Sequence, residues 1–137
     1  MDARMWALLS ALFAGLTAVL AKKGVAEVPA NTALYVRVTF VLLFSVAVAA
    51  AAKQLDVTAL TKTNWVFLGL SAVATWASWA CYFRALQAGD VARVAPIDKL
   101  SFVIAVVLGI VFLKEKLTWN LAGGCALIVS GVLLTLR

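Results

Sequence analysis

The sequence predicts an all-α integral membrane protein, and three observations predict it. Hydrophobic residues make up 65% of the 137-residue chain and charged residues only 13%, whereas a soluble domain carries about a quarter charged residues. The apolar residues gather into five long runs broken by short polar links. Tryptophans mark several of the run ends, where indole rings favour the headgroup level of a bilayer. A chain this short cannot hide so much apolar surface from water by folding on itself. Hydrocarbon is therefore its solvent, and the partners it implies are membrane lipids.

A membrane helix needs about 20 mostly apolar residues. The first run, Met5–Ala21, is closed by Lys22, Lys23 and Gly24, with a turn at Pro29 and Asn31. It resembles a signal peptide only in Arg4 and its apolar stretch, because lysines stand where a small-residue cleavage site belongs. The second run, Thr32–Ala52, is interrupted by Arg37 alone, and a polar loop, Lys53–Asn64, follows. The third, Trp65–Leu86, ends at Gln87, Ala88, Gly89 and Asp90, where glycine is a natural helix stop. The fourth, Val94–Leu113, is capped by Lys114, Glu115 and Lys116, and the fifth, Thr118–Leu136, precedes Arg137. Short links place consecutive helices side by side and antiparallel. Strands are excluded, since the runs are too uniformly apolar to alternate and lipid forbids open sheet edges. Residues 1–137 thus read as a single transmembrane domain.

Small residues recur at helical spacing and let backbones approach closely in lipid. Gly69, Ala72, Ala77 and Ala80 lie in the third run, and Gly123, Gly124 and Gly131 in the fifth. The fifth run, uncharged between Asn120 and Arg137, reads as a packing or dimerisation helix. Trp6, Trp65 and Trp119 fit the interfacial belt. Trp76 and Trp79 sit well inside the third run with Phe83 along the same face. They read either as packed or lipid-facing bulk or as the aromatic wall of a substrate path able to grip cations.

Several function classes drop out. The chain has no histidine, the usual catalytic base and commonest metal ligand, and no nucleophile, zinc or phosphate-loop pattern. Enzymatic activity, a metal and a cofactor are not expected. Cys81 and Cys125 read as small hydrophobes. The net charge of +6 comes from residues scattered singly or in pairs, without the basic stripe that nucleic-acid binding needs.

Charge placement also bears on orientation. Five runs put the termini on opposite sides. The N-terminal side receives Arg4, Lys53, Lys62, Lys114 and Lys116, and the other side receives Lys22, Lys23, Arg84, Arg93 and Arg137. Topology follows an imbalance of such residues, and here the sides are even. Either the first helix alone fixes one orientation, or copies insert both ways and pair head to tail.

Charge within hydrocarbon is expensive, so each case needs a reason. Arg37, Asp98 and Lys99 qualify. Arg37 lies five residues into its run, about 8 Å along a helix axis, and Asp98 and Lys99 are at a similar depth from the same side. An Arg37–Asp98 pair would lower the penalty for both charges, and Lys99 can snorkel to the headgroups. Pro96 beside them loosens the start of that helix. The cluster reads as a structural ion pair or as the polar end of a substrate path. Ser71, Thr75 and Ser78 can bond their own backbone or line a watery path.

The stretch YFRALQAGDVARVAPIDKLSFVIAVVLGIVFLKEKLTWNLAGGCALIVSGVLL resembles an EamA-type repeat of the drug/metabolite transporter superfamily. The likeness extends over essentially the whole chain. It is carried by Ala85 and Leu86 closing the third run, Pro96 opening the fourth, Glu115 with Leu117 and Thr118, and Gly124, Leu127, Ile128 and Gly131 in the last. Arg37 also looks like the family's. Lys114 stands where such repeats usually have glycine. The PIDKLS stretch, Pro96–Ser101, is similar to single-repeat, five-span bacterial and archaeal members.

The resemblance implies a transporter, without cofactor, in a prokaryotic cell membrane, exporting a small metabolite or amphipathic compound by alternating access. Larger members pair two inverted repeats around a cavity, so it also implies an antiparallel homodimer. Arg37, Asp98 and Lys99 would then form a polar mouth, with Trp76, Trp79 and Tyr82 as wall. Alternatives are a flippase for lipid-linked substrates, a cation/proton antiporter like the small multidrug pumps, and a non-transporting assembly partner. The first run lacks the acidic residue those pumps use, leaving Asp98 as the deep carboxylate for any proton coupling.

Overall fold

In lipid every backbone N–H and C=O must find a partner within its own segment, which leaves the helix as the form for single apolar runs. The computed structural model, which describes residues 2–136, meets that demand with six helices among the described residues: α1 (Ala3–Gly24), α2 (Ala30–Ala51), α3 (Lys62–Ala88), α4 (Val91–Asp98), α5 (Leu100–Leu113) and α6 (Trp119–Thr135). Arg137, counted above among the charges, lies outside the described residues. α1, α2, α3 and the stretch Val91–Leu113 are each long and apolar enough to cross a membrane, and α6 is a shorter apolar helix of 17 residues.

Sequence and structure differ at informative points. α2 begins at Ala30 behind Pro29, so Asn31 belongs to its first turn rather than to the preceding link. Proline suits a helix entrance because its missing N–H has no helical partner there. The fourth run is two helices. Pro96, inside α4, has no N–H to give, and the chain tightens just beyond it. Lys99 N–H bonds the Pro96 carbonyl at 3.0 Å, and Phe102 N–H bonds the Lys99 carbonyl at 3.1 Å, both three-residue steps that end one helix and start the next.

The left-handed helix stops are lysines, not glycines. Lys53 has φ 56° and Lys114 φ 55°, and no described glycine has positive φ. After α2, Lys53 N–H bonds the Ala50 carbonyl and Gln54 N–H bonds the Ala49 carbonyl, the pairing of a Schellman motif. After α5, Glu115 N–H returns to the Gly109 carbonyl at 3.3 Å. A Cβ on Gly109 would stand 2.8 Å from Glu115 Oε2, so this buried glycine is where Glu115 folds back over the helix. Each lysine also sits at the negative end of a helix dipole. The position where the resembled repeats carry glycine is thus one whose backbone favours it.

The chain forms two compact units, Met1–Ala88 and Gly89–Arg137. In the first, α3 packs against both α1 and α2. Its buried residues are Ala18 of α1, Val25 of the α1–α2 link, Ala30 and Leu34 of α2, and Ala80, Phe83 and Leu86 of α3. They gather where α1 ends, α2 begins and α3 ends, so this unit is packed at one end. In the second unit α6 packs against α4 and α5, with Gly109 and Val132 buried. Large apolar side chains elsewhere face outward, Trp119 at 94% exposure and Phe112 at 74%, as expected where lipid or another chain covers them.

Local polar contacts set helix starts. Thr61 accepts from Asn64 N–H at 3.3 Å and meets the Asn64 side-chain oxygen, while Thr118 accepts from Leu121 N–H at 3.3 Å, both N-caps. In the α2–α3 link, Asp56 accepts from Thr58 N–H at 2.8 Å and from the Thr58 hydroxyl at 2.7 Å. The backbone bond first, and the hydroxyl second, hold its carboxyl below the ordinary carboxylate value.

Two outcomes follow. Lys114→Gly removes the penalty of a side chain in the left-handed region, about 1 kcal/mol, and raises the unfolding midpoint of detergent-purified protein; a lowered midpoint counts against that conformation. The Asp56 turn, whose folded pKa is depressed, is fully stabilised above the ordinary carboxylate pKa and loosens as pH falls through the lowered value. Exchange of the Thr58 amide, corrected for its intrinsic pH dependence, then accelerates, and constant protection into strong acid would contradict this.

Candidate functional site

A cleft of about 590 Å³ opens between α1 and α2. Both helices lean on α3, and the buried contacts among the three lie at one end. That end is tied by polar contacts as well as by the apolar core. Lys22 Nζ donates to the Leu86 carbonyl at 2.5 Å, and Gln87 Nε2 donates to the carbonyls of Val25 at 3.0 Å and Val28 at 2.6 Å. Arg84 reaches Asn31 Oδ1 at 3.5 Å. The Leu86 carbonyl is one of the last four of α3, which have no helical partner, and Lys22 brings a positive charge to that negative helix end. Gln87 reads from sequence as a mere helix end. Its partners lie some sixty positions away, and no local signal marks them.

Arg37 projects into the cleft from α2 and is half-buried. Its guanidinium carbon lies 4.4 Å from the Trp79 ring centroid and 5.4 Å from that of Phe83. Trp79 and Phe83 are four residues apart on α3, one above the other on one face. A charge at the centre of a membrane helix costs about 2.5–3.5 kcal/mol on an insertion scale, and a desolvated cation–ring contact returns about 2 kcal/mol. Two rings therefore offset most of the penalty without any carboxylate. Tyr82, half-buried next to Phe83, is also within electrostatic range of Arg37.

The remaining cleft wall is mainly apolar: Leu20 and Ala21 from α1, and Val36, Phe40, Val41 and Phe44 from α2, with Thr17 and Thr32 as its other polar side chains. Trp76 stands elsewhere. It borders two grooves beside α2, one of about 370 Å³ shared with Trp79, Ser71 and Thr75, and one of about 410 Å³ with Asn31, Tyr35 and Thr39. The Thr75 hydroxyl bonds the Ser71 carbonyl at 2.9 Å, so it is satisfied within its own helix.

Asp98 and Lys99 occupy the other unit. Lys99 Nζ is 3.7 Å from Asp98 Oδ2, with both side chains partly exposed. This neighbour pair sits at the break between α4 and α5. Asp98 stands seven residues past the start of α4, as Arg37 does past the start of α2. Thus Arg37 and Trp79 meet within one unit, Asp98 and Lys99 meet within the other, and each charge has a local partner. Gly69, Gly123, Gly124 and Gly131 have nothing within 4 Å of the place a Cβ would take, so their small-residue faces are open. Gly109, absent from that set, is the glycine in close approach. Cys81 is exposed and Cys125 half-buried, both as free thiols.

The chain matches the EamA-like transporter family over residues 3–137. It is 48% identical over 132 residues to a Sinorhizobium sp protein named "Uncharacterized transporter in cobO 3'region", an alignment covering 96% of this chain and 94% of that one. No solved structure matches it.

Substitutions at the ring pair separate support from function. Arg37→Met removes a charge from the apolar cleft and leaves the unfolding midpoint equal to wild type or higher. Trp79→Ala, which strips the larger ring from a retained charge, lowers stability by about 2 kcal/mol. Unfolding in detergent checks both, and a strongly destabilised Arg37→Met would mark the arginine as a structural keystone instead.

Proposed function

From the premise that the chain belongs to the EamA-like transporter family, which makes it a multi-pass membrane transporter rather than an enzyme, we propose that it exports a small metabolite or amphipathic compound by alternating access. The observation that carries the reading is the cleft: a cavity of about 590 Å³ between α1 and α2, with Arg37 on its wall and firm packing at one end only. A path that opens to alternate sides needs helices that can separate at one end while held at the other. The latch of Lys22 and Gln87 supplies the held end.

The working form in this reading is two copies paired head to tail in a prokaryotic cell membrane, each crossing it five times. At about 1.5 Å per residue α6 is about 25 Å long, slightly short of the roughly 30 Å hydrocarbon core, a mismatch that oligomerisation relieves. The open faces around Gly123, Gly124 and Gly131 suit a partner helix better than lipid. The evenly divided Lys and Arg residues allow both orientations. In the proposed cycle Arg37, with Trp79 and Tyr82 beside it, serves the route in the first unit, and Asp98 and Lys99 are the charged groups that the second unit contributes.

Two measurements test this. Tags on each terminus, probed from both faces of the membrane, are expected to be reached from both; a single orientation rejects the antiparallel pair. In proteoliposomes screened with a panel of metabolites and amphipathic compounds, Arg37→Met and Asp98→Asn are expected to reduce flux at least tenfold at normal protein levels. Unchanged flux in both variants rejects these residues as the path, and absence of flux for every compound with wild-type protein rejects the exporter reading.

A further inference from the structure

We infer that the α1–α2 cleft takes a single-chain amphipathic anion, its carboxylate or phosphate on the edge of Arg37 and its apolar chain along Phe40, Val41 and Phe44. The inference rests on the exporter reading and names the class of its cargo. A guanidinium is planar, with five N–H donors pointing outward in its plane. Trp79 and Phe83 engage it as a cation over their rings, an interaction that uses the charge but accepts none of those hydrogen bonds in the manner of an oxygen. Among the described residues, the partners of Arg37 are these rings and the Tyr82 phenol, none of which is a carboxylate. The fork of donors therefore suits a bidentate oxyanion.

The rest of the cleft decides what accompanies that oxyanion. Among the described residues no Asp or Glu lines it, so no carboxylate among them balances a cationic cargo, while the guanidinium repels one. A purely hydrophilic anion would leave the Phe40 and Phe44 walls uncovered. An apolar chain covers them, and the wall from Arg37 to Phe44 runs about 10 Å along α2. The volume of about 590 Å³ is that of a site for one small molecule rather than for an extended surface. The charge sets orientation and the apolar wall sets affinity, the usual division in such pockets. A free single-chain molecule is the occupant argued for; a bilayer lipid with an anionic headgroup shares the chemistry, and the experiment separates the two.

Full-length protein is reconstituted in phosphatidylcholine vesicles, and binding of decanoate, decanol and decyltrimethylammonium is measured by equilibrium dialysis against protein-free vesicles. Decanoate is expected to bind at least tenfold more tightly than either of the others. Arg37→Gln, verified as folded by its unfolding midpoint, reduces decanoate to the level of decanol, and Arg37→Lys retains part of the difference. Equal binding of the three probes, or an unchanged preference in Arg37→Gln, overturns the inference. So does loss of decanoate binding when one vesicle lipid in five is phosphatidylglycerol with ionic strength raised to screen the surface, since the site would then be a lipid site. Flux of other compounds without any preference for decanoate defeats the inference and spares the exporter reading; charge-selective decanoate binding without flux of any compound does the reverse.

Discussion

A guanidinium placed inside a membrane helix has to be stabilised by whatever the neighbouring helix presents, because neither water nor mobile ions are at hand. Arg37 meets Trp79 and Phe83, two rings one helical turn apart on α3. That contact fixes more than the arginine. It brings the positive charge to the wall of the α1–α2 cleft. Rings disperse the charge without neutralising it, so the cleft keeps a positive character that a carboxylate partner would have removed. Stability and chemistry meet at one side chain.

The first unit is unevenly built. Ala18, Val25, Ala30, Leu34, Ala80, Phe83 and Leu86 are buried near one end of the three helices, and Lys22 and Gln87 tie that end through backbone carbonyls. Such bonds give partners to carbonyls at a helix end and in the link between helices. Towards the other end the side chains of α1, α2 and α3 face outward. In the proposed alternating-access cycle the loosely packed part moves about the tightly packed one, the more open end being the one with lower local stability.

The second unit shows how an apolar run is shaped by a few residues. Pro96 cannot donate a backbone hydrogen bond, and the helix tightens and restarts around Lys99. At the far end of α5, Lys114 takes the left-handed conformation and Glu115 folds over Gly109. Asp98 and Lys99 therefore lie at a break, and Lys114, Glu115 and Lys116 at a stop, where the backbone is already departing from the helix and polar side chains can share in satisfying it.

The sequence by itself determined the solvent, the all-helical fold class and the approximate position of every apolar run. All of these are properties of one segment at a time, because hydrocarbon forces each segment to satisfy its own backbone. Tertiary structure alone decided that Arg37 lies over Trp79 and Phe83, that Gln87 and Lys22 bind carbonyls some sixty residues away, that Gly109 rather than Gly69 or Gly131 is in close approach within the chain, and that a cleft separates α1 from α2. These depend on which faces of which helices meet. In a chain whose helices are apolar nearly all round, hydrophobicity marks no face, so it gave no guide to that choice.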